Sequence, residues 1–274
     1  MAHRMETSFL PFALLALVAG MGLSAGCVSS GTQDQSAAAR VPAGYLSKEA
    51  LPDSVALVPP PPDAGSPALA CDEEMMRKAL FLRDTPQWML AIEDADLTFP
   101  HSAGTFSCAL DAPVTNIETP HLYTLLRRTM SDASNVTSAA KTHYNRRRPF
   151  VENGEPICSP DEQQLLTKSG SYPSGHAAIG WALALILAEI DPAHGDAILE
   201  RGLAFGQNRV VCNVHWESDV REGRILGAAV VARLHADNAF RTDLEAAKAE
   251  LAAVRAKGLK PRRNCTAEAQ AMAK

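Results

Sequence analysis

No stretch of this chain alternates apolar and polar residues over a convincing length, so nothing in it reads as a β-strand. CxxC and HxxxH spacings are both missing, which removes the usual zinc-site signatures. No internal repeat is present, so solenoids and propellers are excluded. An excess of positive charge is lacking too: 26 Lys and Arg against 31 Asp and Glu leave a net charge of −5, which argues against a nucleic acid polymer as partner. Beyond the N-terminus no apolar run is long enough to span a bilayer. Residues 177–190 come closest, but they fall short of the ~20 residues a span needs and stop at Asp191-Pro192. They read as a buried core helix.

What remains is an ordinary globular composition, 46% hydrophobic and 21% charged. Residues 1–26 read as an export signal: Arg4 near the start, an apolar run from Phe9 to Leu23, then Ser24, Ala25 and Gly26. A short membrane anchor is the alternative for that run. Residues 23–27 are similar to a lipoprotein processing site, which would put a lipid anchor on Cys27 and the protein in the periplasm or on a membrane facing it. Ser24 stands where Leu is usual. Residues 27–44 are Ser-, Ala-, Gly- and Gln-rich and read as a flexible tether. The run Pro59–Pro62 can only be extended, and a tether continuing to Leu69 is the competing reading. Six cysteines in an exported chain suggest disulfides.

From about Cys71 onward the pattern is helical. Helices are expected near 72–83, 86–96, 106–111, 119–131, 135–144, 161–168, 175–190, 194–211, 217–235 and 238–256. The last, charged on most faces, is expected at the surface.

Three clusters carry chemistry. In the first, Lys141 and Arg148 are seven apart and would share a face if one helix ran through both. Arg suits bidentate contact with phosphate and Lys serves as a point charge, while Arg146 and Arg147 read as a solvated basic face. In the second, Pro173-Ser174-Gly175-His176 runs straight into the apolar helix. Ser174 can cap it, Gly175 lets the backbone come close, and the unpaired first-turn N–H groups form an anion site. A plain N-cap beside a surface His is the blander reading. In the third, His215 and Asp219 lie one helical turn apart, so the carboxylate can fix one imidazole nitrogen and leave the other free to attack. A helix-capping His with a solvated Asp is the alternative. Arg209 continues the apolar stripe Ile198, Gly202, Phe205. A buried guanidinium there needs an anion, either phosphate or a structural carboxylate.

Together these clusters suit phosphoryl transfer, which depends on positioning and charge neutralisation. They resemble the signature of the type 2 phosphatidic acid phosphatase superfamily, in particular the bacterial class A nonspecific acid phosphatases. The pattern is Lys, six residues, Arg-Pro; then Pro-Ser-Gly-His; then Ser-Arg, five residues, His, three residues, Asp. One position departs: Asn208 stands where Ser is usual. The resemblance runs from about Tyr45 to Leu234 and includes Pro59–Pro62, so it ends the tether near Gly44 and makes 45–274 the phosphatase domain.

The resemblance implies an all-α fold with a helical bundle core, and an enzyme hydrolysing small phosphate monoesters with no metal or other cofactor. It implies His215 as nucleophile, Asp219 as its orienting partner and His176 as general acid and base. Lys141, Arg148, Ser174, Gly175 and Arg209 would hold the phosphoryl oxygens. Family members are often oligomeric, which leaves room for a homo-oligomer. The rival readings are a vanadium haloperoxidase, which shares the signature, and a membrane-associated lipid phosphatase; a phosphate-binding lipoprotein with a dead site is the non-enzyme alternative. Connectivity of the cysteines is not readable from sequence. The expected pair is Cys158–Cys212, which would tie the segment after Arg148 to the one carrying His215.

Overall fold

A computed structural model describes residues 43–273. The export signal, Cys27 and most of the segment read as a tether lie outside the described residues. Among those described there are helices, turns and loops, and no strands.

Twelve α-helices follow one another: α1 (Ser54–Leu57), α2 (Pro67–Leu80), α3 (Pro86–Ala95), α4 (Pro120–Asn135), α5 (Ser138–Tyr144), α6 (Pro149–Asn153), α7 (Gln163–Thr167), α8 (Gly175–Ile190), α9 (Gly195–Val211), α10 (Glu217–Leu234), α11 (Asn238–Ala256) and α12 (Cys265–Met272). The starts follow local chemistry. Proline occupies the first turn of α2, α3, α4 and α6, where its missing N–H costs nothing. Ser66, Thr85, Ser174, Asp237 and Asn264 each cap a helix through the side chain.

The core centres on α8. Ten of its residues are buried, including Ile179, Leu183, Ile186 and Leu187. It packs most extensively against α9 and α10, and α4 adds a further wall. Small residues set the closeness of this packing. A Cβ on Gly223 would lie 2.4 Å from the Ser174 carbonyl, and one on Gly227 would lie 2.4 Å from that of Ala178. Glycine at these two α10 positions lets its backbone come against the first turn of α8, where the Ser174 N–H donates to the Asp219 carbonyl at 2.9 Å. The second and third sequence clusters therefore meet.

Several expectations need correction. The helix expected at 106–111 is a 3₁₀ turn at Ser102–Phe106 followed by turns, with Asp111 at φ +47° and Pro113 just beyond. The one expected at 161–168 is a 3₁₀ turn, Pro160–Glu162, running into short α7. Helices α1, α6 and α12 were not anticipated; α1 and α6 are too short to show a periodic stripe. Helix α11 is not confined to the surface. Phe240, Leu244, Ala247, Leu251 and Val254 are buried, a 4-3-4-3 stripe set against α4.

The chain from residue 43 to α2 is packed against the bundle. Tyr45 and Leu46 N–H groups donate to Asp132, and the Tyr172 hydroxyl donates to the Pro59 carbonyl at 2.6 Å. Among the described residues there are two disulfides, Cys108–Cys265 and the expected Cys158–Cys212, and Cys71 is a free, exposed thiol.

Candidate active site

Lys141, Arg148, Ser174, Gly175, His176, Arg209, His215 and Asp219 come from three separate stretches of chain and converge at the N-terminal ends of α8 and α10 and the C-terminal end of α9.

The loop carrying His215 is a tight reversal after α9. Asn213 takes the left-handed conformation at φ +63°, one of the few non-glycine types that tolerate it. The Val214 and His215 N–H groups donate back to the Arg209 carbonyl. The segment from Arg147 to Cys158 is laced to this loop. Trp216 Nε1 donates to the Arg147 carbonyl at 2.8 Å, Arg148 Nη1 to the Val214 carbonyl at 2.9 Å, and the Cys158–Cys212 bond closes the far end.

His215 Nδ1 lies 3.2 Å from Asp219 Oδ2, and its Nε2 lies 3.2 Å from Arg148 Nη1. A carboxylate can only accept and a guanidinium can only donate. The neutral ring therefore carries its proton on Nδ1 and turns the Nε2 lone pair towards Arg148. The same Asp219 oxygen accepts from the Trp216 N–H at 2.9 Å, so Asp219 caps α10 as well as orienting the histidine. The alternative of a capping His beside a solvated Asp is not what forms: Asp219, not His215, makes the cap, and it is wholly buried.

His176 sits in the first turn of α8 and its Nε2 lies 3.1 Å from the Ala95 carbonyl at the end of α3. That acceptor puts a proton on Nε2 and leaves Nδ1 to exchange one. The ring stacks on Phe205, 6.1 Å between centroids. Burial, then Arg209, holds the His176 pKa well below its usual value. Burial and the cations Arg148, Lys141 and Arg209 do the same to His215.

Lys141 does not share a helix face with Arg148. Helix α5 ends at Tyr144, Asn145 turns left-handed at φ +42°, and Arg148 is extended at φ −83°, ψ 154°, the geometry that Pro149 imposes on its neighbour. The two cations meet again through a third segment. Lys141 Nζ donates to the Gly170 and Ser171 carbonyls, and Arg148 donates to those of Leu166, Ser169 and Gly170. Burial, then Arg148, draws the Lys141 pKa down to about 7. Part of Lys141 and of His176 stays accessible, although their ionisable ends are enclosed.

Arg209 is 1% exposed, and its Nε and Nη1 are buried without a hydrogen-bond partner. Its neighbour Asp94 is already taken. Arg201 Nη1 and Asn208 Nδ2 both donate to Asp94 Oδ2, at 2.9 and 2.8 Å, and Arg201 Nη2 donates to Oδ1 at 2.5 Å. The structural ion pair considered for Arg209 thus belongs to Arg201, one helical face away. Asn208, where Ser was expected, supports α3. Leaving buried donors unmade costs about 1–3 kcal/mol, and phosphoryl oxygens are of the right kind to take them. At the start of α8, Ser174 Oγ accepts from the Ala177 N–H, and the N–H groups of Gly175 and His176 precede the first intrahelical bond. A Cβ on Gly175 would face Thr137 Oγ1 at 3.6 Å and Lys141 Cε at 4.0 Å, so the glycine backbone looks into the cage.

Arg146 is a correction. Arg147 is solvent-exposed, as expected, but the Arg146 side chain is only 10% exposed and bridges Asp72 and Asp219 at 2.7 and 2.8 Å. Sequence reasoning missed it because adjacent arginines give no periodic sign of which one turns inward. Asp72, on a helix of mixed charge, carries no signal at all. Among the described residues, no group of three His, Cys, Asp or Glu is placed to hold a metal ion.

Residues 122–243, which contain all eight of the residues named above, match the PAP2 superfamily. The chain is 44% identical to a non-specific acid phosphatase of Providencia stuartii over 209 residues, 76% of this chain and 84% of that protein. It is 41% identical to an acid phosphatase of Zymomonas mobilis subsp. mobilis over 199 residues, 73% and 75% of the two chains. A non-specific acid phosphatase of Salmonella typhimurium is 38% identical over 208 residues, 76% and 83%.

Proposed function

The chain belongs to the PAP2 superfamily, with non-specific acid phosphatases among its relatives, and on that premise we propose that it hydrolyses small phosphate monoesters through a phosphohistidine on His215. The observation that carries this reading is the pairing of His215 Nδ1 with Asp219, which leaves Nε2 as a lone pair facing cations.

The substrate's phosphoryl group, a dianion, enters between Lys141, Arg148, Arg209 and the first turn of α8. Arg148 Nη1 exchanges His215 Nε2 for a phosphoryl oxygen. Nε2 then attacks phosphorus in line as the bond to the alcohol oxygen breaks. The departing oxygen takes the proton from His176 Nδ1. In the second half, water attacks the phosphohistidine, gives its proton to His176 Nδ1 and releases phosphate as the N–P bond breaks. Burial and then the neighbouring cations depress His176; the arriving dianion offsets the cations and so favours the protonated general acid when the ester is bound. Lys and Arg supply the charge neutralisation that metal ions supply elsewhere.

The export signal, a tether at 27–44 and a periplasmic location, with or without a lipid on Cys27, belong to the same proposal. Two disulfides among the described residues suit an oxidising compartment. No described helix is long and apolar enough to cross a membrane.

The test is rapid-quench labelling with a radiolabelled monoester, with and without EDTA. Acid-labile phosphate on the protein, lost in His215→Ala, and turnover that survives chelation are expected. Turnover restored only by a divalent ion, or by vanadate with halide oxidation, would replace this reading.

A further inference from the structure

Arg146 is held on three sides. Its Nη2 donates to Asp72 Oδ2 at 2.7 Å, and its Nη1 donates to Asp219 Oδ1 and Ser218 Oγ, both at 2.8 Å. Its guanidinium lies 5.1 Å over the Trp216 ring. Asp72 is itself fixed by the Ser218 N–H at 2.8 Å and the Ser218 hydroxyl at 2.5 Å. Both carboxylates are buried, Asp72 at 2% and Asp219 at 0% exposure. Asp219 thereby divides its oxygens. Oδ2 takes His215 Nδ1 and the Trp216 N–H, and Oδ1 takes Arg146.

We propose that Arg146, clamped by Asp72, is a positioning residue that keeps Asp219 an acceptor-only carboxylate and so decides which nitrogen of His215 is free to attack. The inference rests on the phosphohistidine reading above. If Asp219 were protonated, its hydroxyl could donate to Nδ1, the ring proton would move to Nε2, and the attacking lone pair would be lost. Burial pushes Asp219 in that direction, and Arg146 is the first influence against it, ahead of the Trp216 N–H and Lys141. The other charged or titratable groups facing this carboxylate are His215 on its own loop, Arg148 before α6, Tyr172 before α8, and Asp72 of α2 behind Arg146. Arg146 is the one cation in this set hydrogen-bonded to Asp219, because Lys141 and Arg148 spend their donors on carbonyls, the Ser169 hydroxyl and His215.

The test compares the wild type with Arg146→Gln, Arg146→Lys, Asp219→Asn and the double variant Arg146→Gln/Asp219→Asn, measuring kcat against pH and inhibition by inorganic phosphate. Losing the cation favours protonation of Asp219, so activity is lost at a higher pH on the acid side. In Arg146→Gln the acid limb of kcat should move up by about one pH unit or more, and kcat above it should fall roughly 100-fold from misplacement of the ring. Phosphate inhibition should be unchanged, since the cage is intact. Arg146→Lys keeps the charge but loses the fork, so its acid limb should stay near the wild type while kcat falls. With Asn at 219 there is no carboxylate to keep ionised, so adding Arg146→Gln should cost about twofold or less. An unmoved acid limb in Arg146→Gln, full additivity in the double variant, or wild-type kcat in Arg146→Lys would each overturn the inference. Arg146→Lys carries the test if the glutamine variant fails to fold. Absence of any trapped phosphohistidine in the wild type would instead overturn the parent reading.

Discussion

Replacing Arg209 with methionine should make the free protein more stable and the enzyme nearly inactive. The guanidinium is 1% exposed, with Nε and Nη1 unpartnered. Burial, opposed by Glu162 and aided by Arg148, brings its pKa down from the usual guanidinium range to about 10. Carrying that charge into the fold therefore costs roughly 3 kcal/mol. Below about pH 10 the group is charged both folded and unfolded, so the cost is present across the working range and eases only as pH rises past the folded value. Methionine keeps most of the stem's packing and removes the charge. A net gain of roughly 1–3 kcal/mol is expected, which at about 2–4 °C per kcal/mol raises Tm by several degrees. Phosphate should show the opposite. At about 100 times its Kd it stabilises the wild type by roughly 2.7 kcal/mol. Losing charge-assisted hydrogen bonds worth about 1.5–3 kcal/mol weakens binding about 10–150-fold, so most of that ligand-dependent shift disappears. Thermal unfolding of both proteins with and without phosphate, beside turnover, makes the measurement. If Arg209→Met instead lowers the stability of the free protein by about 3–5 kcal/mol, as breaking a buried pair does, Arg209 is a structural ion-pair residue and the cage is wrongly drawn.

On the proposed mechanism His176→Ala would remove the proton donor but leave the nucleophile, so turnover should fall by roughly 10²–10⁴ for alkyl phosphates and much less for p-nitrophenyl phosphate, whose phenolate leaves unaided; equal losses on both substrates would contradict the proposed role. Lys141 loses its charge as pH rises through about 7, so competitive inhibition by sulfate, whose own charge is constant there, should weaken above that pH; Lys141→Gln should inhibit weakly at every pH with no such break, and a wild-type break that persists in the variant would assign it to another group.

The helical class, most helix positions and the identities of the three clusters were legible without a structure, because they rest on local chemistry. Helices α8 and α11 have the expected bounds, since α8 opens with a Ser cap before a long apolar run and α11 follows Asp237. The His215–Asp219 pair was readable from its four-residue interval, although His215 lies in the loop just before the Trp216 N-cap and only Asp219 is on α10. Which arginine does what was not readable. Three arginines stand in a row at 146–148, and the structure sends one to Asp219, one to solvent and one to His215. That sorting depends on a left-handed Asn145 and on what α2 brings opposite, neither of which leaves a periodic trace. Arg201 and Arg209 likewise lie on the same helix, and only the arrival of Asp94 from α3 beside one of them separates a structural cation from an available one. Local sequence sets helices, caps and turns because their hydrogen bonds close within a few residues. The partner of a buried charge comes from a distant part of the chain, and only the packed fold determines which one it meets.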